Sequence, residues 1–308
     1  MRKRQNRISV WLVISIILLG VVIYLYLKPS QVSPGDIDLE SAIKPQALIY
    51  LNPASGNNQI ISHNLTTGKE ITLLDNFGEL LSLNSCSDRG VALILVKKDQ
   101  QITLMTLGLL NGAQTELGNV TSFNPKVAYE YPNSRYLLIT GDHSDQILFI
   151  DSNMEKISEI KPSGEISSVS VQSDDKIELA IFNGNNSDIQ SYSGKNGFKS
   201  IAKIDGRAYK INDGKILYAK KMTSDIDESN PTGKTFWKIS LKDLAADTDT
   251  ILSEGNFDQN AISDPNFQII SYQKKYDTSD QADGRIFIIN TDNKIDRISS
   301  GVPLIYSY

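Results

Sequence analysis

The chain has 308 residues, enough for one large domain or two ordinary ones with a sizeable core. Hydrophobic residues make up 40% and charged residues 22%, a balance that excludes a disordered or collagen-like chain. One cysteine, Cys86, can form neither an intrachain disulfide nor a cysteine-based zinc site, and two histidines leave little for histidine-based catalysis.

The net charge of −5 is unevenly spread. Arg2, Lys3, Arg4, Arg7 and Lys28 meet no acid in the first 28 residues, which leaves about −10 on the remainder. An acidic body is unsuited to holding a phosphate backbone, so no nucleic-acid partner is expected.

In chain order, residues 1–8 read as a short cytoplasmic tail. Residues 9–27 (SVWLVISIILLGVVIYLYL) carry no charge and no proline. Nineteen helical residues rise roughly 28 Å, close to the hydrocarbon thickness of a bilayer. Trp11 near one end, with Tyr24 and Tyr26 near the other, suits the two interfaces. The basic cluster precedes the span, so the positive-inside rule keeps the N-terminus in the cytoplasm and exports the chain beyond Lys28. A cleaved signal peptide shares the basic start and the apolar run. The run here is long, however, and Tyr26-Leu27-Lys28-Pro29-Ser30 lacks a small-x-small cleavage pattern. The expectation is an uncleaved single-pass anchor in the cytoplasmic membrane. Residues 28–46, with Pro29, Pro34, Gly35 and Pro45 among acids, read as a spacer.

From Ala47 to the end, short apolar or alternating runs rich in Ile, Leu, Tyr and Val are separated by Gly, Asn, Asp and Ser turns, the pattern of an all-β domain. One turn-plus-strand unit recurs. Ser87-Asp88-Arg89-Gly90 precedes VALILV, Pro132-Asn133-Ser134-Arg135 precedes YLLIT, and Ser173-Asp174-Asp175-Lys176 precedes IELAIF. Asn212-Asp213-Gly214-Lys215 precedes ILYAK, and Pro265-Asn266-Phe267-Gln268 precedes IISY. The strands begin at Val91, Tyr136, Ile177, Ile216 and Ile269, spaced by 45, 41, 39 and 53 residues. A period near 40–45 with four strands per unit predicts propeller blades, the last interval being lengthened by an insertion. A β-sandwich would share the strand pattern but not one turn at one period.

The ends of this domain predict closure. ALIYL, QIISHN and KEITLL supply three strands after the spacer, and VPLIYSY at residues 302–308 has no unit of its own. Pairing VPLIYSY beside ALIYL completes the first blade, removes a free edge and gives a six-bladed β-propeller over residues 47–308.

The turns resemble degenerate copies of the Ser-Pro-Asp-Gly-Lys signature of TolB-type β-propeller repeats. Asn64-Leu65-Thr66-Thr67-Gly68-Lys69 resembles their turn between third and fourth strands. The resemblance covers residues 45–308 and implies the propeller fold. Members of that family are often extracytoplasmic, in agreement with the topology. No partner carries over from it.

In such a ring the second-to-third-strand loops share one face with the links between blades, and that face is the candidate binding surface. Two of these loops are long and acidic. The loop at residues 222–233 holds Asp225, Asp227 and Glu228, and the loop at 276–284 holds Asp277, Asp280 and Asp283. They read as solvated insertions, with calcium as the sharper alternative. The three-residue spacing of the second set is unlike the alternating ligands of an EF-hand, and neither metal nor cofactor is expected. The third blade contributes Asp142, His143 and Asp145. Neighbours within one loop rarely converge as a Ser-His-Asp triad, and no nucleophile elbow accompanies them. Phe77 and Phe257 fall in links between blades and Trp237 in a third strand, where a ring either anchors a partner or packs between blades. His63 and Cys86 read as structural residues. Asn64, Asn119 and Asn185 open short glycosylation-type sequons that occur by chance.

Taken together, the residues point to a membrane-anchored, extracytoplasmic propeller that binds a protein or glycan of the cell envelope without catalysis. The alternative is a propeller-type hydrolase or lyase using carboxylates at the channel mouth.

Overall fold

The structure is a computed structural model that describes residues 46–53, 58–86, 90–173, 176–223, 235–253, 257–275, 285–289 and 295–307. The expected tail, anchor and almost all of the spacer lie outside these residues. Among the described residues no helix is long and apolar enough to cross a membrane.

Among the described residues, twenty-four strands form six antiparallel blades. Strands β1 (Ala47–Asn52), β2 (Gln59–Asn64) and β3 (Glu70–Asp75) belong to blade 1. Blade 2 contains β4 (Glu79–Ser85), β5 (Val91–Lys98), β6 (Gln101–Gly108) and β7 (Gln114–Asn119). Blade 3 contains β8 (Val127–Tyr131), β9 (Arg135–Thr140), β10 (Gln146–Ile150) and β11 (Lys156–Ile160). Blade 4 contains β12 (Glu165–Ser173), β13 (Lys176–Phe182), β14 (Ser187–Ser193) and β15 (Gly197–Ile204). In blade 5 the strands are β16 (Gly206–Asn212), β17 (Lys215–Thr223), β18 (Thr235–Asp243) and β19 (Thr248–Ile251). Blade 6 has β20 (Phe257–Ser263), β21 (Ile270–Lys275), β22 (Arg285–Ile289) and β23 (Ile295–Ser300). The last strand, β24 (Val302–Ser307), returns to pair with β1, so blade 1 has the order β24-β1-β2-β3.

The second strands β1, β5, β13 and β17 carry long apolar runs because they are covered on both faces. In β5, Leu93 and Leu95 pack with Ala128, Leu138 and Leu148 of blade 3. Ala92, Ile94 and Val96 point the other way and pack with Ile49, Ile60 and Leu74 of blade 1. Period-two alternation thus feeds two interfaces instead of one core and one solvent face. The remaining interfaces repeat the scheme. Blades 3 and 4 meet through Leu137, Ile139, Ile177 and Leu179, and blades 4 and 5 through Ala180, Ile189, Ile216 and Tyr218. Blades 5 and 6 meet through Leu217, Ile239 and Tyr272, and blades 6 and 1 through Ile286, Leu48, Tyr50 and Tyr306. The outer strands are polar because nothing covers them, as in the wholly exposed β19.

Local chemistry shapes the turns. Asn133 and Ser134, and later Asp213 and Gly214, all have positive φ, the conformation that a tight hairpin requires. At the family-like turn after β2, the Asn64 side-chain oxygen accepts from the amides of Thr66 and Thr67 at 3.0 and 2.8 Å. Asp151 and Asp243 make the same side-chain bond at the corresponding turns of blades 3 and 5.

Closure has its own fastenings. The Gln46 amide donates to the Ser307 carbonyl at 2.8 Å. Ser271 and Tyr306 share a buried hydroxyl hydrogen bond of 2.5 Å between blades 6 and 1. The Gln273 amide donates to the Gly301 carbonyl at 3.0 Å, where the chain crosses into β24.

A second fastening ties blade 5 to blade 6. The Lys210 ammonium, on β16, donates to the carbonyls of Ser263 and Asp264 at 2.7 and 3.1 Å and lies over the Phe267 ring. Burial pushes its pKa down to about 8, opposed by the nearby Asp264 carboxylate. Between pH 8 and 10.5 the unfolded chain therefore holds a proton that the folded chain has lost, so this residue makes stability rise with pH across that window. Comparing urea unfolding of wild type and Lys210→Met at pH 7.5 and 10 isolates the effect. The wild type is expected to gain about 1–2 kcal/mol relative to the variant. Parallel stabilities at both pH values would contradict it.

Candidate functional site

The links between blades and the second-to-third-strand loops lie on one face. The chain enters β1 at Gln46 and leaves β24 at Ser307 on the other. Three structural motifs lie on the described part of the loop face.

The first is the loop between β9 and β10. Within this one loop Asp142 and His143 are exposed and Asp145 is half-buried. Ser144 has φ 53 and its amide donates to the Gly141 carbonyl at 3.1 Å. Its own carbonyl accepts from the Ile166 amide at 2.9 Å, stapling the loop to the first strand of blade 4. The loop is therefore a fixed platform that displays an imidazole and two carboxylates.

The second is an ion pair at the inner rim that the sequence did not advertise. Arg207, near the start of β16, donates to Glu165 at the start of β12 at 2.8 Å, and its guanidinium lies 5.0 Å from the Phe182 ring centre. The partners are 42 residues apart, about one repeat. Their equivalent positions in successive blades are the signal that would have found them.

The third is the loop between β13 and β14. The Asn183 side chain accepts from the amides of Asn185 and Asn186 at 3.3 and 2.9 Å. Asn185 in turn accepts from Lys221 of blade 5 at 2.7 Å, and the Asn186 amide group donates to Asp205 at 2.8 Å. Bonds of this kind join blades 4 and 5 along their upper edge.

Other expectations are corrected or fall elsewhere. Phe77 is only 8% exposed, packed with Leu83 and Ile94 between blades 1 and 2. It is an interface residue and offers no free ring to a partner, because the link folds it under the neighbouring blade. Trp237 packs against the interface of blades 5 and 6. The Phe257 backbone pairs with Trp237, and its side chain lies outside the described part of the chain. Asp225, Asp227, Glu228, Asp277, Asp280 and Asp283 all lie outside the described residues, so the acidic loops are not placed. Among the described residues no group of three potential metal ligands occurs. His63 bonds Glu70 at 3.1 Å, and the Tyr50 hydroxyl donates to the same oxygen at 2.9 Å. Cys86 packs beside the interface of blades 2 and 3.

No family model matches the chain, and no curated protein matches it. Solved structures do. TolB from Acinetobacter baumannii aligns with a TM-score of 0.62 at 16% identity, over 85% of this chain and 66% of that one. A chain from a nidogen/laminin complex aligns with a TM-score of 0.57 at 8% identity, over 85% of this chain and 97% of that one. The tricorn protease aligns with a TM-score of 0.53 at 14% identity, over 84% of this chain but 26% of that one. The fold is a six-bladed β-propeller. At these identities the likeness is one of architecture, and the propeller's loops are its own.

Proposed function

We propose that this propeller is held at the outer side of the cytoplasmic membrane by residues 9–27 and serves there as a non-catalytic scaffold for a protein of the cell envelope, with a glycan as the other class of partner. The observation that carries the reading is the division of labour between the two faces. Both ends of the ring meet on one face, at Gln46 and Ser307, opposite the loop face. On that loop face, polar side chains are already committed to fixing loops. Glu165 holds Arg207, Asp205 receives Asn186, and Asn185 receives Lys221. Such a surface suits recognition by shape and hydrogen bonding more than proton transfer. The likeness to a propeller solved in a nidogen/laminin complex, and to TolB, supports a protein-binding use of the same architecture. The likeness to the tricorn protease is the support for a hydrolytic alternative.

The test places a photo-cross-linking residue in intact cells at His143 on the loop face and, separately, at Asp213 on the opposite face. A discrete cross-linked species from position 143 and none from 213 is the expected result. Equal capture from both faces contradicts the reading. So does turnover of envelope glycans or peptides by the purified chain.

A further inference from the structure

A polar cleft of about 250 Å³ opens at the outer rim of blade 4 on the loop face. Its walls come from the link before β12, the β13–β14 loop, the start of β14 and the end of β15. The buried side chain of Ile181 contributes an aliphatic patch. That volume is below the ~300–1,000 Å³ of sites for drug-sized molecules and suits a single small ring.

The arrangement of donors and acceptors is specific. Asp188 and Lys203 stand directly opposite each other across β14 and β15, yet no ion pair joins them among the described residues. Asp188 is instead aimed by two short bonds, from the Ser200 hydroxyl and the Gln190 amide, each of 2.6 Å. The Lys203 ammonium is left with no protein partner among the described residues. Asn183 uses its oxygen on the loop backbone, so its amide hydrogens remain available. Gln190 uses its nitrogen on Asp188, so its oxygen remains available. The cleft thus presents two donors, Lys203 and Asn183, beside two acceptors, Asp188 and Gln190.

Adjacent hydroxyl groups on a ring each donate one hydrogen bond and accept others. They match a site in which a carboxylate and an amide oxygen alternate with an ammonium and an amide nitrogen. Asp188 disfavours an anionic ligand, and Ile181 provides a small apolar surface for ring carbons. We infer that this cleft is a subsite for one neutral sugar ring bearing vicinal hydroxyls, separate from the protein-binding role of the ring as a whole.

The test is titration of the full chain, solubilised in a detergent without a sugar headgroup, with the methyl glycosides of mannose, galactose, glucose and N-acetylglucosamine, read by ligand-observed NMR. At least one glycoside is expected to saturate with a Kd of about 1–10 mM, the range open to a shallow one-ring site. Lys203→Met or Asp188→Asn is expected to weaken that binding by about fivefold or more, roughly 1 kcal/mol, without lowering the melting temperature. Lys203 makes no protein bond among the described residues that its removal would break, so its variant remains informative if Asp188→Asn disturbs folding. Failure of all four glycosides to saturate overturns the inference, as does binding that Lys203→Met leaves unchanged. Either failure leaves the cross-linking result at His143 unaffected, so the two readings stand or fall separately.

Discussion

Ending the chain at Gly301 is expected to abolish cooperative folding of the propeller. The deletion removes β24, and with it the strand that hydrogen-bonds β1 along Ala47–Leu51. It also takes away the buried rings of Pro303 and Tyr306, the side chains of Leu304 and Ile305 packed between blades 1 and 2, and the Ser271–Tyr306 hydrogen bond. At ~1.5–3 kcal/mol for each fully buried apolar side chain, the loss is at least about 5 kcal/mol. That is comparable with the ~5–15 kcal/mol that holds a whole domain. It leaves blade 1 without its first strand, and β1 with a bare apolar edge that invites pairing with other chains. Calorimetry should show no sharp transition, with self-association at micromolar protein. A melting temperature within a few degrees of wild type would show that the last strand is dispensable.

The second large effect rests on one backbone position. Gly206 opens β16 with φ 151, a conformation that residues with a side chain rarely adopt. A Cβ there would overlap the carbonyl oxygen of Ala219 and lie 2.9 Å from its carbonyl carbon. Both belong to the ladder between β16 and β17, so neither can yield without breaking the pairing of Arg207 with Ala219. Gly206→Ala is expected to cost about 3 kcal/mol or more, a fall of roughly 6–12 °C in melting temperature. Gly194, with open space around its Cβ direction, supplies the control. Gly194→Ala should stay within about 0.5 kcal/mol of wild type. Equal melting of the two variants would contradict the close approach of β16 to β17.

The regular part of this architecture could be read from residues because the physics is local there. A second strand covered on both faces must be a continuous apolar run, and the turn before it must tolerate positive φ or side-chain bonding. Those two demands mark the starts of β5, β9, β13, β17 and β21 to within one residue of Val91, Tyr136, Ile177, Ile216 and Ile269. The longer last interval reflects the stretch between β17 and β18, which contains residues 224–234 outside the described part of the chain. Closure was legible because VPLIYSY is a strand without a blade and blade 1 is a blade short of a strand.

The loop face was less legible because its contacts are made between repeats. Phe77 has the same composition cue as an exposed anchor. Only Leu83 and Ile94, brought over it by the next blade, make it an interface ring. The Glu165–Arg207 pair and the Asp188–Lys203 opposition depend on strand register, which no single segment encodes. Asp142, His143 and Asp145 were found because loop position alone groups them.

The closed ring is tested most directly by a cross-link across its seam. Leu51 and Val302 face each other in the β1–β24 ladder, and both are half-buried. A chain carrying Leu51→Cys and Val302→Cys, with Cys86 changed to Ala, is oxidised at low protein concentration and analysed by mass spectrometry after proteolysis. A disulfide linking the two segments within one monomer, in high yield and with native melting retained, is the predicted result. Two free thiols, or a bridge found only between separate chains, would contradict a propeller that closes on itself.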